Sequence, residues 1–356
     1  MSETFRDYLK KIGSGPHTGK HLTREEAASA LEMMLKETAT PAQIGAFLIA
    51  HRMQRPTPEE LAGFLDTYDK MAAALPKAES PVTVLGCPYD GRSRTTPVTP
   101  IVALSLASAG FSAILHGGDR MATKYGMPMV EVWQGLGVDW TQLSRDRVHE
   151  VFKTTRIGFA YQPHWLPEAC RLAEYRDQIG KRPPVATMEL MWSPYHHRQH
   201  IVSGFVHPPT ENLFRETFAL RGQHLFTTVK GLEGSCDLPR SRTAIIGLSG
   251  DRSIPEPELS WQRLHVHSRD YGLGGPDVPF ESEEQVIRDL KAVIAGKDTE
   301  LTKSAIWNVG FYLWRTGVSK DLSAAIEAAK TQISSGKIAE MLERLREETV
   351  RELAID

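Results

Sequence analysis

The chain has 356 residues, 41% of them hydrophobic and 24% charged, a length and balance that suit one large globular domain with a smaller companion and exclude a single small core. Its net charge of −2 excludes a global basic field for nucleic acid or an anionic membrane, so a nucleic-acid role needs a local patch. Cys87, Cys170 and Cys236 form no CxxC pair, the opening MSETFRDYLKKIG has no apolar signal core, and no window approaches the ~20 apolar residues of a membrane span; the expectation is a cytoplasmic protein without membrane contact.

Residues 1–76 read as a helical domain. Thr23, with Glu26 three residues on, makes a capping box, and Ala27, Leu31, Met34 and Leu35 follow at helical spacing. Thr40-Pro41 starts a second helix carrying Ile44, Phe47, Leu48 and His51 on one face, and Thr57-Pro58-Glu59-Glu60 starts a third. The stripe Ile44, Phe47 and Leu48 with Met33 and Met34 reads as core or as a dimer interface.

The pattern changes at Pro81. Val82–Leu85 is a short, partly β-branched run ending at Gly86, a buried strand; the loop GCPYDGRSRTTPVTP, a helix over Ile101–Ala109 and a strand over Ser112–Leu115 complete a βαβ unit with parallel strands. Further strands are expected at Ile157–Ala160, Val185–Leu190, Leu225–Val229 and Thr243–Leu248, and helices at Glu281–Ala295, Thr302–Trp314 and Leu322–Leu342. The non-periodic stretch 249–279 reads as loops with an edge strand. The fold class is α/β, with a mostly parallel central sheet flanked by helices over residues 77–356. In such sheets ligands sit at the carboxyl ends of the strands, which points to the loops after Leu85, Leu115 and Val229.

The first of these loops, Asp90-Gly91-Arg92-Ser93-Arg94-Thr95-Thr96, combines two arginines, three hydroxyls and a following helix start. It reads as an anion site, since arginine presents a planar fork of donors to phosphate; the plainer reading is a polar loop with a helix cap. His196 and His200 have the spacing of a helical metal pair, but no acid lies at a matching position and Pro194 points to a loop entering a strand, so metal is not expected there. Arg240-Ser241-Arg242, with Arg92, Arg94, Arg198 and Lys230, is either one local basic face for nucleic acid or scattered surface charge.

Three segments together resemble the anthranilate phosphoribosyltransferase family, glycosyltransferase family 3: residues 23–64 with the run TPAQIGAFL, the strand end LHGGDRMATKYG, and NVGFYLWRTGVSKDLSAAIEAAKTQISSGKI at residues 308–338. Weaker matches are FAYQPHW and RDQIGKR. The resemblance implies a homodimer that binds phosphoribosyl diphosphate with Mg²⁺ and transfers ribosyl-5-phosphate to a nitrogen acceptor such as an aromatic amine, the reaction of tryptophan biosynthesis. It also implies residue roles. Gly86, Asp90, Gly91, Arg92, Ser93, Arg94, Thr95, His116, Gly117, Asp119 and Lys124 would hold phosphoribosyl diphosphate. His116, Tyr161, His164 and Arg176 would face the acceptor, with Trp165 beside them, and Glu233 with Asp237 would hold the metal. The aromatic residues among these read equally as packing.

The chain departs from the family at two places. The family's Gly-Thr-Gly-Gly-Asp loop reads Gly86-Cys87-Pro88-Tyr89-Asp90-Gly91, which loses glycines that let a backbone approach phosphate and gains a proline without an N–H. The family's Asp-Glu pair reads Gly231-Leu232-Glu233-Gly234, leaving one certain carboxylate. A divergent branch with a Tyr-Asp/Asn-Gly loop and a Gly-Thr-Glu-Gly-like segment is more similar here. It implies the alternative of an inactive member that binds single-stranded nucleic acid or a phosphorylated ligand.

Overall fold

The computed structural model describes residues 3–15, 17–250 and 260–351. The N-terminal unit contains α1 (Glu3–Gly13), α2 (Arg24–Leu35), α3 (Pro41–Gln54) and α4 (Pro58–Met71). Thr23, Thr40 and Thr57 each close a capping box with the residue three positions on, so donors that a helix start leaves unpaired are met locally. Ile44, Phe47, Leu48 and Met34 are all buried within this one chain, and Met33 packs against the same core.

The larger unit is built on seven strands: β1 (Val82–Leu85), β2 (Ser112–Gly117), β3 (Ile157–Tyr161), β4 (Gln199–Gly204), β5 (Phe226–Val229), β6 (Ala244–Ser249) and β7 (Trp261–Val266). Their order in the sheet is β3-β2-β1-β4-β5-β6-β7. The first five are parallel, and β6 pairs antiparallel with both β5 and β7. Parallel strands need crossover connections and have both faces covered. Helix α5 (Thr99–Ser108) joins β1 to β2 and is buried on every side. It lies between the sheet and two C-terminal helices, α13 (Glu300–Arg315) and α15 (Lys337–Val350), as an apolar helix must.

The remaining connections are α6 (Met129–Gly135) and α7 (Arg145–Thr155) before β3, then α8 (Gln162–Trp165), α9 (Pro167–Ile179) and α10 (Val185–Met188) before β4. After these come α11 (Pro208–Leu220) before β5, α12 (Glu283–Ile294) and α14 (Leu322–Ser334). Helix α9 packs on α2 and α3, and α11 on α4. Arg24 and Arg221 both hold Asp66, and Arg221 also holds Asp69, so charge ties the bundle to α11. The bundle therefore sits over the carboxyl ends of the parallel strands, and a cleft lies between them.

Two sequence expectations change. Val185–Leu190 is no strand: α10 and a turn replace it, because Pro183 and Pro184 remove ladder donors and start a helical turn. Leu322–Leu342 is two helices, broken at Gly336, whose φ of +84° is left-handed. Of the stretch 249–279, residues 251–259 lie outside the described residues, and the rest does contain an edge strand, β7. No helix among the described residues is long and apolar enough to cross a membrane.

Candidate active site

The loop after β1 is fixed by its neighbours before any ligand is considered. Gly91 has φ +76°, and a Cβ there would stand 2.3 Å from the Gly126 carbonyl oxygen, so only glycine fits this turn. Arg92 and Met127 exchange backbone hydrogen bonds of 3.0 and 2.8 Å, while the Phe280 N–H donates to the Arg94 carbonyl at 2.9 Å. The segment 92–95 is thus held on two sides, with the N–H groups of residues 93–95 turned inward.

Those N–H groups meet Glu233. Its carboxylate accepts from the backbone N–H of Ser93 at 3.2 Å and of Arg94 and Thr95 at 3.1 Å each. It also accepts from Thr95 Oγ1 and Arg92 Nε at 3.1 Å and from Lys124 Nζ at 3.4 Å. Burial alone would raise this carboxyl, but Arg92, Lys124 and the backbone donors outweigh it and bring the pKa down from 4.5 to about 2. The Arg92 guanidinium, 2% exposed, continues to Ser235 Oγ and Asp237 Oδ2 at 2.7 Å each. Asp237 accepts in turn from the Val98 N–H at 3.2 Å and the Thr99 hydroxyl at 2.8 Å, which fastens the start of α5.

This network bears on the expected metal. Glu233 and Asp237 do come together, joined across Arg92, but the cation between them is a guanidinium. Both carboxylates are consumed by donors, whereas a divalent ion needs oxygen lone pairs in a near-octahedral set. Among the described residues there is no cluster of three or more His, Cys, Asp or Glu that could hold a metal. The pair does not fit Mg²⁺ in this arrangement.

The acceptor side shows the same internal pairing. Arg176, on α9 and 3% exposed, forks onto both oxygens of Glu189, one of them at 3.0 Å, and touches Met121 Sδ. Burial works against the guanidinium charge, and the Glu189 carboxylate more than offsets it, so the arginine stays protonated. Beside the pair, His116 accepts from or donates to the Tyr89 hydroxyl at 2.8 Å. It packs edge-on against Trp192 with ring centres 5.2 Å apart, and Trp192 packs on Tyr68 at 5.7 Å. Burial pushes His116 down to about 3, so it is neutral. Tyr161 donates to Asp119 at 2.7 Å and its ring lies 5.1 Å from that of His164, whose Nδ1 is 3.1 Å from the Leu143 carbonyl.

A cleft of about 480 Å³ opens above these groups. Its walls come from the loop Pro88–Asp90, the ends of β4 and α10, Glu233, and Arg52 of α3. Arg182 and Lys181 also line it, Arg182 paired with Asp90. Lys124 stands behind Asp90 at 3.7 Å. Gly86, Gly117 and Asp119 lie at the strand ends below and beside it. Arg94 is exposed. Sequence reasoning missed Arg52, Arg182 and Glu189. Only Glu189 left a signal, a lone carboxylate in the apolar run ATMELMW, which requires a buried partner.

The single basic face does not form. Arg92 and Arg240 are buried: Arg240, 1% exposed, bonds the carbonyls of Leu273 and Glu300 at 2.7 and 2.8 Å. Arg198 precedes β4 at the opposite end of the sheet from Lys230, which follows β5. The nucleic-acid alternative therefore loses the patch it required. His200 lies inside β4 and bonds Thr227 at 2.8 Å, while His196 is exposed, so the two share no metal site.

A four-helix start over a mostly parallel sheet, with polar loops meeting at the strand ends, defines a protein with a small helical domain and a larger α/β domain. Residues 6–72 match the family described as "Glycosyl transferase family, helical bundle domain". The chain is 25% identical over 346 residues to the anthranilate phosphoribosyltransferase of Dictyoglomus thermophilum, covering 97% of this chain and 99% of that one. It is 27% identical over 336 residues to that of Rhodococcus jostii, covering 93% and 90%. Among solved structures, anthranilate phosphoribosyltransferase from Saccharomyces cerevisiae in complex with PRPP and Mg superposes with a TM-score of 0.81 over 98% of this chain and 99% of that one, at 17% identity, a likeness of fold. Residues 6–72 thus carry that helical bundle domain, and along nearly its whole length the chain is similar to anthranilate phosphoribosyltransferases.

Proposed function

We propose that the protein is a phosphoribosyltransferase-like protein that takes a phosphorylated ribosyl donor into the interdomain cleft and passes ribosyl-5-phosphate to a nitrogen acceptor. The observation that carries this reading is the cleft itself: it lies at the strand ends where this fold places ligands, with Arg52, Lys181 and Arg182 on its wall and Lys124 behind. These cations suit a phosphate or diphosphate group. No side chain need form a covalent bond; the cleft would act by holding donor and acceptor together and by stabilising the departing charge.

Two finer points depart from the resemblance. Both terminal nitrogens of Arg176 are already taken by Glu189, so the acceptor that suits this cleft carries no carboxylate for that arginine's fork to read. Glu233 and Asp237 are satisfied by Arg92, so donor binding in this reading is independent of Mg²⁺. The homodimer remains part of the proposal on the strength of the resemblance, with light scattering as its check; so does a cytoplasmic location.

The test is calorimetric titration of phosphoribosyl diphosphate with and without Mg²⁺. Binding that is equal in both, and weakened about tenfold or more in Arg182→Ala by loss of a charged hydrogen bond, is the expected result. No detectable binding under either condition removes the donor site.

A further inference from the structure

We propose that the Glu233 carboxylate is a resident anion in a phosphate nest of the chain's own making, and that a tetrahedral oxyanion binds at Ser93–Arg94–Thr95 when Glu233 leaves. This deepens the reading of the cleft as a phosphate-binding site and rests on it, though not on the phosphate belonging to a ribosyl group.

The nest is over-provided for a carboxylate. Three consecutive backbone N–H groups, the Thr95 hydroxyl, Arg92 Nε and Lys124 Nζ all lie within 3.4 Å of its two oxygens. Six donors exceed the roughly four lone-pair directions that a carboxylate offers. A phosphate group has a third terminal oxygen and more charge, and it matches successive inward N–H groups as anion nests generally do.

The nest also survives without its occupant. Arg92 stays in place through Ser235 and Asp237, and the loop through Met127 and Phe280. Glu233, by contrast, is held in a conformation that its residue type disfavours, with φ +55° and ψ +22°. It lies between Gly231 and Gly234, and a Cβ on Gly234 would meet only Val206, at 3.4 Å. Glu233 lines the cleft, so its departure opens the nest to the ligand space. The carboxylate thus competes with any phosphate that enters.

The experiment titrates inorganic phosphate and inorganic diphosphate, in magnesium-free buffer with a chelator, into the full-length chain and its Glu233→Gly and Glu233→Gln variants. Glycine suits the positive φ, and glutamine keeps the shape while removing the charge. Both variants should bind at least about tenfold tighter than the unaltered chain, the scale of one charged hydrogen bond. Adding Thr95→Ala to Glu233→Gly should reduce that gain. Equal affinity in all three folded proteins overturns the proposal; if Glu233→Gly does not fold, the glutamine variant alone decides on the same criterion. Binding of phosphoribosyl diphosphate to the unaltered chain without any phosphate gain in the variants sinks this inference and leaves the cleft reading standing. A phosphate gain without phosphoribosyl diphosphate binding does the reverse.

Discussion

Replacing Arg92 by methionine tests the central ion cluster. The guanidinium holds Glu233 at 3.1 Å and Asp237 at 2.7 Å, and donates to Ser235 at 2.7 Å. After the substitution Glu233 keeps the three N–H groups of the loop and Lys124, so its environment stays cationic. Asp237, 1% exposed, keeps only the Val98 N–H and the Thr99 hydroxyl. Removing one partner of a buried pair costs about 3–5 kcal/mol, because the other charge remains desolvated. Urea denaturation, followed both by tryptophan fluorescence and by far-ultraviolet circular dichroism, reads this loss; Trp192 is close to the site and buried. Coincidence of the two curves justifies a single free energy. A loss below about 1 kcal/mol, the scale of an exposed pair, would refute the reasoning. Mg²⁺ should leave the unaltered chain's midpoint where it is.

Two further predictions concern charge. Arg176→Met alone should destabilise by about 3–5 kcal/mol, and Arg176→Met with Glu189→Leu by much less, since the double change leaves no buried charge unpaired; equal losses in the two would show that the fork onto Glu189 contributes little. Glu233 has a folded-state pKa of about 2 against an ordinary carboxyl value of 4.5. Its contribution is therefore complete above pH ~4.5 and is lost as pH falls towards 2. The shift corresponds to at most about 3 kcal/mol, and to about 2 after screening by solvent at Lys124. The stability gap between the unaltered chain and Glu233→Gln should narrow across that window, and a gap that does not change with pH would count against the pairing.

The helical bundle was legible in the sequence because its signals are local: Thr23 with Glu26 and Thr57 with Glu60 lie three residues apart and need no tertiary context. The βαβ unit was legible for a similar reason, a short β-branched run stopped by Gly86. Val185–Leu190 failed because its apolar run suits a buried strand and a buried helical turn alike, and the prolines before it should have weighed more. Gly336 was overlooked inside a long apolar period, although a glycine near a helix end is a stop signal. Around the cleft, the meeting of the loops was legible and their partnerships were not. The loop after Leu85 lies where the fold puts ligands, but Arg92 reads as an outward phosphate binder unless one knows that residues 233 and 237 return beneath it. Arg240 misled for the same reason: an Arg-Ser-Arg run looks exposed until the carbonyls of Leu273 and Glu300 enclose its first arginine.

Asp237 serves two masters, the guanidinium of Arg92 and the first turn of α5. That double duty shapes which sequences can neighbour this one. A chain that exchanged the arginine for a metal-binding loop in one step would pass through a form with Asp237 stranded and the start of α5 poorly anchored. A chain that lost Asp237 first would leave Arg92 with Glu233 and Ser235 alone and the start of α5 without its carboxylate. A metal-holding and a salt-bridged version of this strand end would thus be separated by coupled substitutions, each harmful alone.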